Sequence, residues 1–268
     1  MSNREEDLRQ TEELITIIMP CYNAQLFVGE AIQSVINQTW PNWELLVIDD
    51  GSKDKTGEIA SQFAQQDSRV RVIYNEKNMG VSITRNRGID MAQGKWIAFL
   101  DADDLWEPDK LQKQLDLSAE CKNSFIYTGY NHIDESGNRY GFTFTVPERA
   151  SFETLSKWSY ISTSGVLLQK DFLGTMRFER NDLREDYYLW LRLLKKTDYA
   201  CGIDDALHSV RHVSGSRSSD KKKMLMQTYK VHRLVGRLPF MAMVNTLSHF
   251  SKAFILKYRH FRRENHLL

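Results

Sequence analysis

Trp96-Ile97-Ala98-Phe99-Leu100 is a short apolar run, opened by Gly94-Lys95 and closed by Asp101-Ala102-Asp103. Five aromatic and aliphatic residues in that setting predict a buried strand. The C-terminal end of such a strand is the open edge of an α/β sheet, where ligands bind. Two carboxylates one residue apart offer hard oxygen ligands suited to Mg²⁺ or Mn²⁺, ions that often also hold a substrate diphosphate. Acids cap strands and helices too, so Asp103 or Asp104 could instead cap a helix starting near Pro108.

A second acidic pair strengthens the first reading. Glu44-Leu45-Leu46-Val47-Ile48 is another apolar run, and it ends in Asp49-Asp50-Gly51-Ser52. Asp54 and Thr56 follow, then a helical stretch from Gly57 to Gln66. An earlier strand, Ile15 to Met19, ends in Pro20-Cys21-Tyr22-Asn23. Strand and helix alternate from residue 14 to residue 117, and the strands are continuously apolar, as in parallel sheets covered on both faces. Two strands of one sheet thus deliver carboxylates to the same edge.

These residues also carry a family resemblance. Pro20-Cys21-Tyr22-Asn23, then Gln38-Thr39-Trp40 with Trp43-Glu44-Leu45, then Val47 to Thr56, resemble the opening of family 2 glycosyltransferases. Asn78-Met79-Gly80-Val81 with Thr84-Arg85-Asn86-Arg87-Gly88, Phe99 to Asp104 with Pro108, and Arg184-Glu185-Asp186 to Arg192 continue it. The motifs keep the family's order and spacing from residue 14 to about 220. The resemblance implies a GT-A fold: a Rossmann-like mixed α/β sheet flanked by helices. It also implies an inverting sugar transfer from a nucleotide-sugar donor.

Composition agrees. A chain of 268 residues, 41% hydrophobic, can bury a sizeable core. Cys21, Cys121 and Cys201 are odd in number and widely spaced, which argues against a disulfide framework or zinc site and for a reducing compartment. Met1 to Glu13 is too polar for a signal peptide. No run reaches the roughly 18 apolar residues of a spanning helix.

The net charge of +1 hides an asymmetry: residues 221–268 hold 11 Lys and Arg against one acid, Glu264, a local charge of +10. Within them Phe240, Val244, Leu247, Phe250, Phe254, Tyr258 and Phe261 recur every three or four residues, one stripe of an amphipathic helix. Lys252, Arg259, Arg262 and Arg263 fall mostly beside or opposite it. Such a helix can lie in an anionic membrane surface, or it can pack on the enzyme's own core or a second subunit; the stripe disfavours nucleic acid. The chain therefore divides into a polar lead (1–13), a GT-A domain (14–220, with a nucleotide-sugar half 14–117 and an acceptor half 118–220) and a basic helical tail (221–268). The expected location is cytoplasmic, peripheral on the inner face of the plasma or inner membrane.

The resemblance assigns roles. Asp103 is the expected ligand of Mn²⁺ or Mg²⁺, and Asp101 holds the ribose or a metal-bound water. Asp50 accepts from the base N3–H, which fits uracil or thymine, so the expected donor is UDP-linked. Pro20, Tyr22 and Asn23 border the base pocket, with the tyrosine ring stacking on the base. Arg85 adds positive charge near the nucleotide or else forms a surface salt bridge. Asp186 is the general base that deprotonates the acceptor hydroxyl, and Glu185 orients the acceptor; both could instead serve only to favour a helix N-terminus. Many relatives have Tyr-Arg-x-His before a Ser-rich turn. Here Val213 stands where that His would be and His212 is one residue early, while Arg211 and Ser214–Ser219 remain candidate diphosphate contacts. The Gln-x-x-Arg-Trp signature of processive synthases is absent, which points to one sugar per event. The expected acceptor is a glycan or a polyprenyl-diphosphate-linked oligosaccharide. A non-catalytic nucleotide- or glycan-binding module is the alternative, though such a module has no need of a base. A nucleotidyltransferase is weaker, because its Gly-rich loop after the first strand is missing. Phe125 to Phe144 predicts strands around a turn at Asp134 to Asn138, and Ile161 to Leu168 predicts a further strand.

Overall fold

The structure, a computed structural model, describes residues 13–179, 182–213 and 220–251. The first half alternates as expected: β1 (Ile15–Cys21), α1 (Val28–Ile36), β2 (Trp43–Asp49), α2 (Thr56–Gln66), β3 (Val70–Tyr74), α3 (Val81–Met91), β4 (Trp96–Phe99), β5 (Leu105–Trp106) and α4 (Lys110–Cys121). Then come β6 (Phe125–Ile133), β7 (Arg139–Phe144), β8 (Arg149–Ala150), α5 (Phe152–Lys157), β9 (Leu167–Gln169) and α6 (Lys170–Leu173). The chain closes with α7 (Glu185–Leu193), β10 (Ala200–Arg211), α8 (Lys221–Leu234) and a helix α9 over 239–251.

One mixed sheet runs in the order β3-β2-β1-β4-β9-β6-β10-β5, with β7 on β6 and β8 on β10. Strands β3, β2, β1 and β4 are parallel neighbours, so their C-terminal ends open on one edge. Both faces are covered. Ile15, Ile17, Met19, Leu45 and Val47 belong to one apolar core, and Ile18, Leu46 and Ile48 to the other. That is why these strands read as continuous apolar runs rather than alternating ones. Gly88 lets α3 lie against β1: a Cβ there would meet Ile18 Cγ2 at 2.5 Å.

Two expectations change. Pro108 precedes α4, whose N-cap is Asp109, so neither Asp103 nor Asp104 caps it. The strand expected from Ile161 shrinks to β9; Thr163–Gly165 is a 3₁₀ turn that carries two hydroxyls to the open edge. The turn at Asp134 to Asn138 forms, with Asp134 Oδ1 accepting from the N–H of Ser136 and Asn138 and Gly137 at φ 83°.

The described part of the tail joins the body. Val231 and Val235 are buried in the core that holds Trp190 of α7. Along α9 the expected stripe faces outward: Phe240 is 76% exposed and Leu247 55%, whereas Asn245, Thr246 and His249 are buried. The named tail residues from Lys252 on, and Ser214–Ser219, lie outside the described residues.

Candidate active site

The ends of β1 and β2 are zipped together by side chains. Asn23 sits at φ 50°; its N–H donates to Ser52 Oγ at 2.9 Å and its Oδ1 accepts from Lys53 N at 2.9 Å. Ala24 N donates to Thr56 Oγ1 at 2.7 Å, and Gln25 N to Asp54 Oδ2 at 3.1 Å. This leaves the Tyr22 ring 49% exposed at the strand end, open to stack on a planar ligand. Asn23 thus shapes the loop through its own hydrogen bonds.

Asp50 is buried, and its carboxylate braces the next loop. Oδ1 accepts from Asn75 Nδ2 at 2.7 Å and Met79 N at 2.9 Å, and Oδ2 accepts from Gly80 N at 2.8 Å. Gly80, at φ 88°, is the N-cap residue of α3. This bracing role was not visible in the sequence. It commits most of the lone pairs that a base N3–H would need.

Helix α3 delivers Arg85 to the centre of the edge. Its guanidinium is buried: Nη2 contacts Asp101 Oδ1 at 2.5 Å and Nη1 contacts Glu185 Oε1 at 3.4 Å. Burial alone would depress the arginine, yet the charges of Asp101 and Glu185 hold it above its ordinary value. The surface salt bridge considered for Arg85 is therefore a buried one. It ties the acidic end of β4 to the start of α7. Glu185 faces inward on this bridge, which differs from the acceptor-orienting role expected of it. Its neighbour Asp186 is half-buried; Oδ2 accepts from Thr163 Oγ1 at 3.3 Å and Oδ1 from Tyr187 N at 2.7 Å.

Asp101, Asp103 and Asp104 crowd one turn. Asp104 is wholly enclosed, accepting from Ser164 Oγ at 2.5 Å and Arg211 N at 3.0 Å. Ser164 Oγ also accepts from Asp101 N at 3.2 Å. Arg211 is a strut: Nε donates to Asp103 O at 2.9 Å, Nη1 to Glu135 O at 3.0 Å and Nη2 to Glu30 Oε2 at 2.7 Å. Its side chain, a candidate diphosphate contact, is 1% exposed and committed to these acceptors. His212 turns to His132, with 2.9 Å between ring nitrogens, rather than toward the carboxylates. Burial and the charge of Asp101 raise the Asp103 carboxyl to about 6.

A divalent ion fits this donor set. Asp101 and Asp103 supply hard carboxylate oxygens at the open edge, in a turn where three acids face two arginines, Arg85 and Arg211. No group of three or more metal-binding side chains exists among the described residues. The protein offers a partial site, which suits an ion completed by substrate oxygens and water.

Sequence reasoning missed Thr163, Ser164 and Asp104. The available signal was Ser162-Thr163-Ser164-Gly165, four small residues interrupting an apolar stretch.

Comparison with known proteins agrees with this fold. Residues 16–177 match the profile of Glycosyl transferase family 2. TuaG of Bacillus subtilis, whose name assigns it provisionally to teichuronic acid biosynthesis, is 36% identical over 85% of this chain and 90% of its own length. The Escherichia coli UDP-Glc:alpha-D-GlcNAc-diphosphoundecaprenol beta-1,3-glucosyltransferase WfgD is 36% identical over 81% of this chain and 85% of its own. S. aureus TarS 1-349, solved with UDP-GlcNAc, shares the fold at 20% identity and a TM-score of 0.71, covering 88% of this chain and 72% of TarS.

Proposed function

The chain belongs to glycosyl transferase family 2, and from that premise we propose an inverting, metal-dependent transfer of one sugar from a UDP-sugar to a polyprenyl-diphosphate-linked or surface-polysaccharide acceptor. The observation that carries this reading is the buried Asp101–Arg85–Glu185 bridge, which sets the acidic strand end beside the helix presenting Asp186. UDP-GlcNAc in TarS and the diphosphoundecaprenol acceptor in WfgD's name support the choice of substrates.

Asp103, with Asp101, would hold Mn²⁺ or Mg²⁺ against the donor's diphosphate, and the ion would stabilise the charge that develops on the departing nucleotide. Tyr22 stacks on the base and Pro20 borders it. Asp186 Oδ2, oriented by the Thr163 hydroxyl, takes the proton of the acceptor hydroxyl as that oxygen attacks the anomeric carbon. Attack comes from the face opposite the nucleotide, so the configuration inverts. Arg85, locked between both acidic groups, keeps base and metal site in register.

The test is nucleotide release from a panel of nucleotide-sugars with Mn²⁺, using a synthetic GlcNAc-diphospho-lipid or a polysaccharide fragment as acceptor. One UDP-sugar should turn over, and chelation should stop it. Tight nucleotide binding with no turnover on any pair would favour the binding-module reading.

The tail supports a peripheral place on an anionic membrane, at the cytoplasmic face. No helix among the described residues is long and apolar enough to cross a membrane. Helices α8 and α9 and the turn between them expose Met226, Leu238, Phe240, Met243 and Leu247, and α8 also exposes the cations Lys222, Lys223, Lys230 and Arg233. Apolar residues seated at the lipid boundary, with each Lys or Arg adding about 1 kcal/mol near an anionic surface, suffice for reversible binding. A membrane-anchored acceptor would then be met at raised local concentration.

A further inference from the structure

Helices α8 and α9 seat Val231, Val235 and Ala242 against the body, and beside these a set of buried polar side chains converges on one residue. Arg184 is the N-cap of α7, and its carbonyl accepts the Tyr188 N–H at 2.9 Å. Its guanidinium fork is gripped from three directions. Nη1 lies 3.0 Å from His249 Nε2 of α9 and 3.4 Å from Thr228 Oγ1 of α8, and Nη2 donates to Ser159 Oγ at 3.2 Å. The Ser159 N–H in turn reaches His249 Nδ1 at 3.2 Å. Tyr187, one residue past Asp186, stacks edge-on against His232 with centroids 5.8 Å apart. Gln227 Nε2 of α8 also donates to Asp182 O at 2.8 Å, just upstream.

This interface is poorly built for stability alone. Both ring nitrogens of His232 and the Asn245 amide nitrogen are buried without a hydrogen-bond partner among the described residues, an arrangement that costs free energy. A neutral imidazole has one acceptor nitrogen, and at His249 two donors compete for it. Apolar side chains would dock a helix pair more firmly. What the polar surface does supply is a directional hold on a forked guanidinium, which apolar contacts cannot give.

We propose that Arg184 and His249 are positioning residues for the acceptor-side base: the C-terminal helix pair grips the residue from which α7 starts and so fixes Asp186 two residues on. The helix pair is then part of the catalytic apparatus as well as a surface element. This rests on Asp186 being the base. A carboxylate displaced by about 1 Å from the acceptor hydroxyl can lose two orders of magnitude in rate, so a hold on its helix start is worth a large factor.

The experiment compares His249→Ala, His249→Gln, Asp186→Asn and the His249→Ala/Asp186→Asn double variant, using the donor and acceptor pair selected by the panel. His249→Ala should lower kcat about 10- to 100-fold, with donor KM within about twofold and donor affinity by calorimetry unchanged. His249→Gln, which keeps an acceptor for Arg184, should recover most of the rate. The double variant should be no slower than Asp186→Asn, because His249 acts through that carboxylate. Parent-like kcat in His249→Ala beside an inactive Asp186→Asn overturns the positioning role and leaves the base intact. Losses that multiply in the double variant also overturn it. A fully active Asp186→Asn overturns the base reading itself. If His249→Ala does not fold, Arg184→Lys, which keeps the charge without the fork, takes its place with the same criteria.

Discussion

The sheet half of the molecule and its C-terminal helix pair use opposite arrangements of polarity. In β1, β2 and β4 apolar side chains fill both faces, and polar groups gather at the strand ends, where Asp50 and Asp101 stand. In α9 the apolar residues Phe240, Val244 and Leu247 face out, and Asn245, Thr246 and His249 face in. Periodicity tells which residues share a helix face. It does not tell which face is covered by protein, because that depends on what the rest of the chain offers. Here Arg184, Ser159 and Tyr187 offer polar groups, so the polar face docks.

The comparison can be broken at several points. The largest effect is expected where the two regions meet. Asp186→Asn should reduce turnover about 10²- to 10⁴-fold while donor binding by calorimetry persists. Joint loss of binding and fold would make Asp186 structural.

Next is the contrast in burial. Trp190 is fully enclosed among Phe99, Phe125 and Phe178, and Trp190→Ala should destabilise by about 3–5 kcal/mol in urea unfolding. A loss below about 1 kcal/mol would contradict that packing.

Acid should act on the helix pair. Burial foremost, then Arg237 and Arg184, lower His232 to about 4; burial, then Arg184 and His232, lower His249 to about 3. Between those values and the unfolded value of about 6.5, the unfolded chain binds protons that the folded chain refuses. Stability from these two groups is therefore full well above about pH 6.5 and falls by about 3 kcal/mol for each histidine, about 6 kcal/mol for the pair, as pH drops toward 4. His232→Leu should flatten that slope. An unchanged slope would remove His232 from the account.

The smallest effect on stability belongs to the outer face. Phe240→Ser with Leu247→Ser should change unfolding by less than about 0.5 kcal/mol yet weaken flotation with anionic vesicles at low salt. High salt should weaken flotation of the parent protein. If the parent ignores such vesicles at low salt, the outer face does not meet membrane.

Much of the sheet half was legible because each strand end is announced locally: an apolar run, then acids or a turn. Asp101, Asp103 and Tyr22 follow apolar strands in that way, whereas Asp186, at the start of α7, came from the family resemblance. Asp104, Ser164 and Arg211 take their meaning from partners 60 and 107 residues away in sequence, which no local pattern encodes. Arg211 read as a candidate diphosphate contact because its acceptors, three backbone carbonyls and Glu30, come from other elements. The inward turn of the polar face of α9 was illegible for the same reason.

The central claim is that Asp103 and a divalent ion hold the nucleotide end of a sugar donor. Calorimetry of UDP binding with and without Mn²⁺, on the parent protein and on Asp103→Ala, tests it most directly. The account predicts tight binding only for the parent with Mn²⁺, and its loss in the variant or on chelation. Equal UDP affinity in all four cases would contradict it.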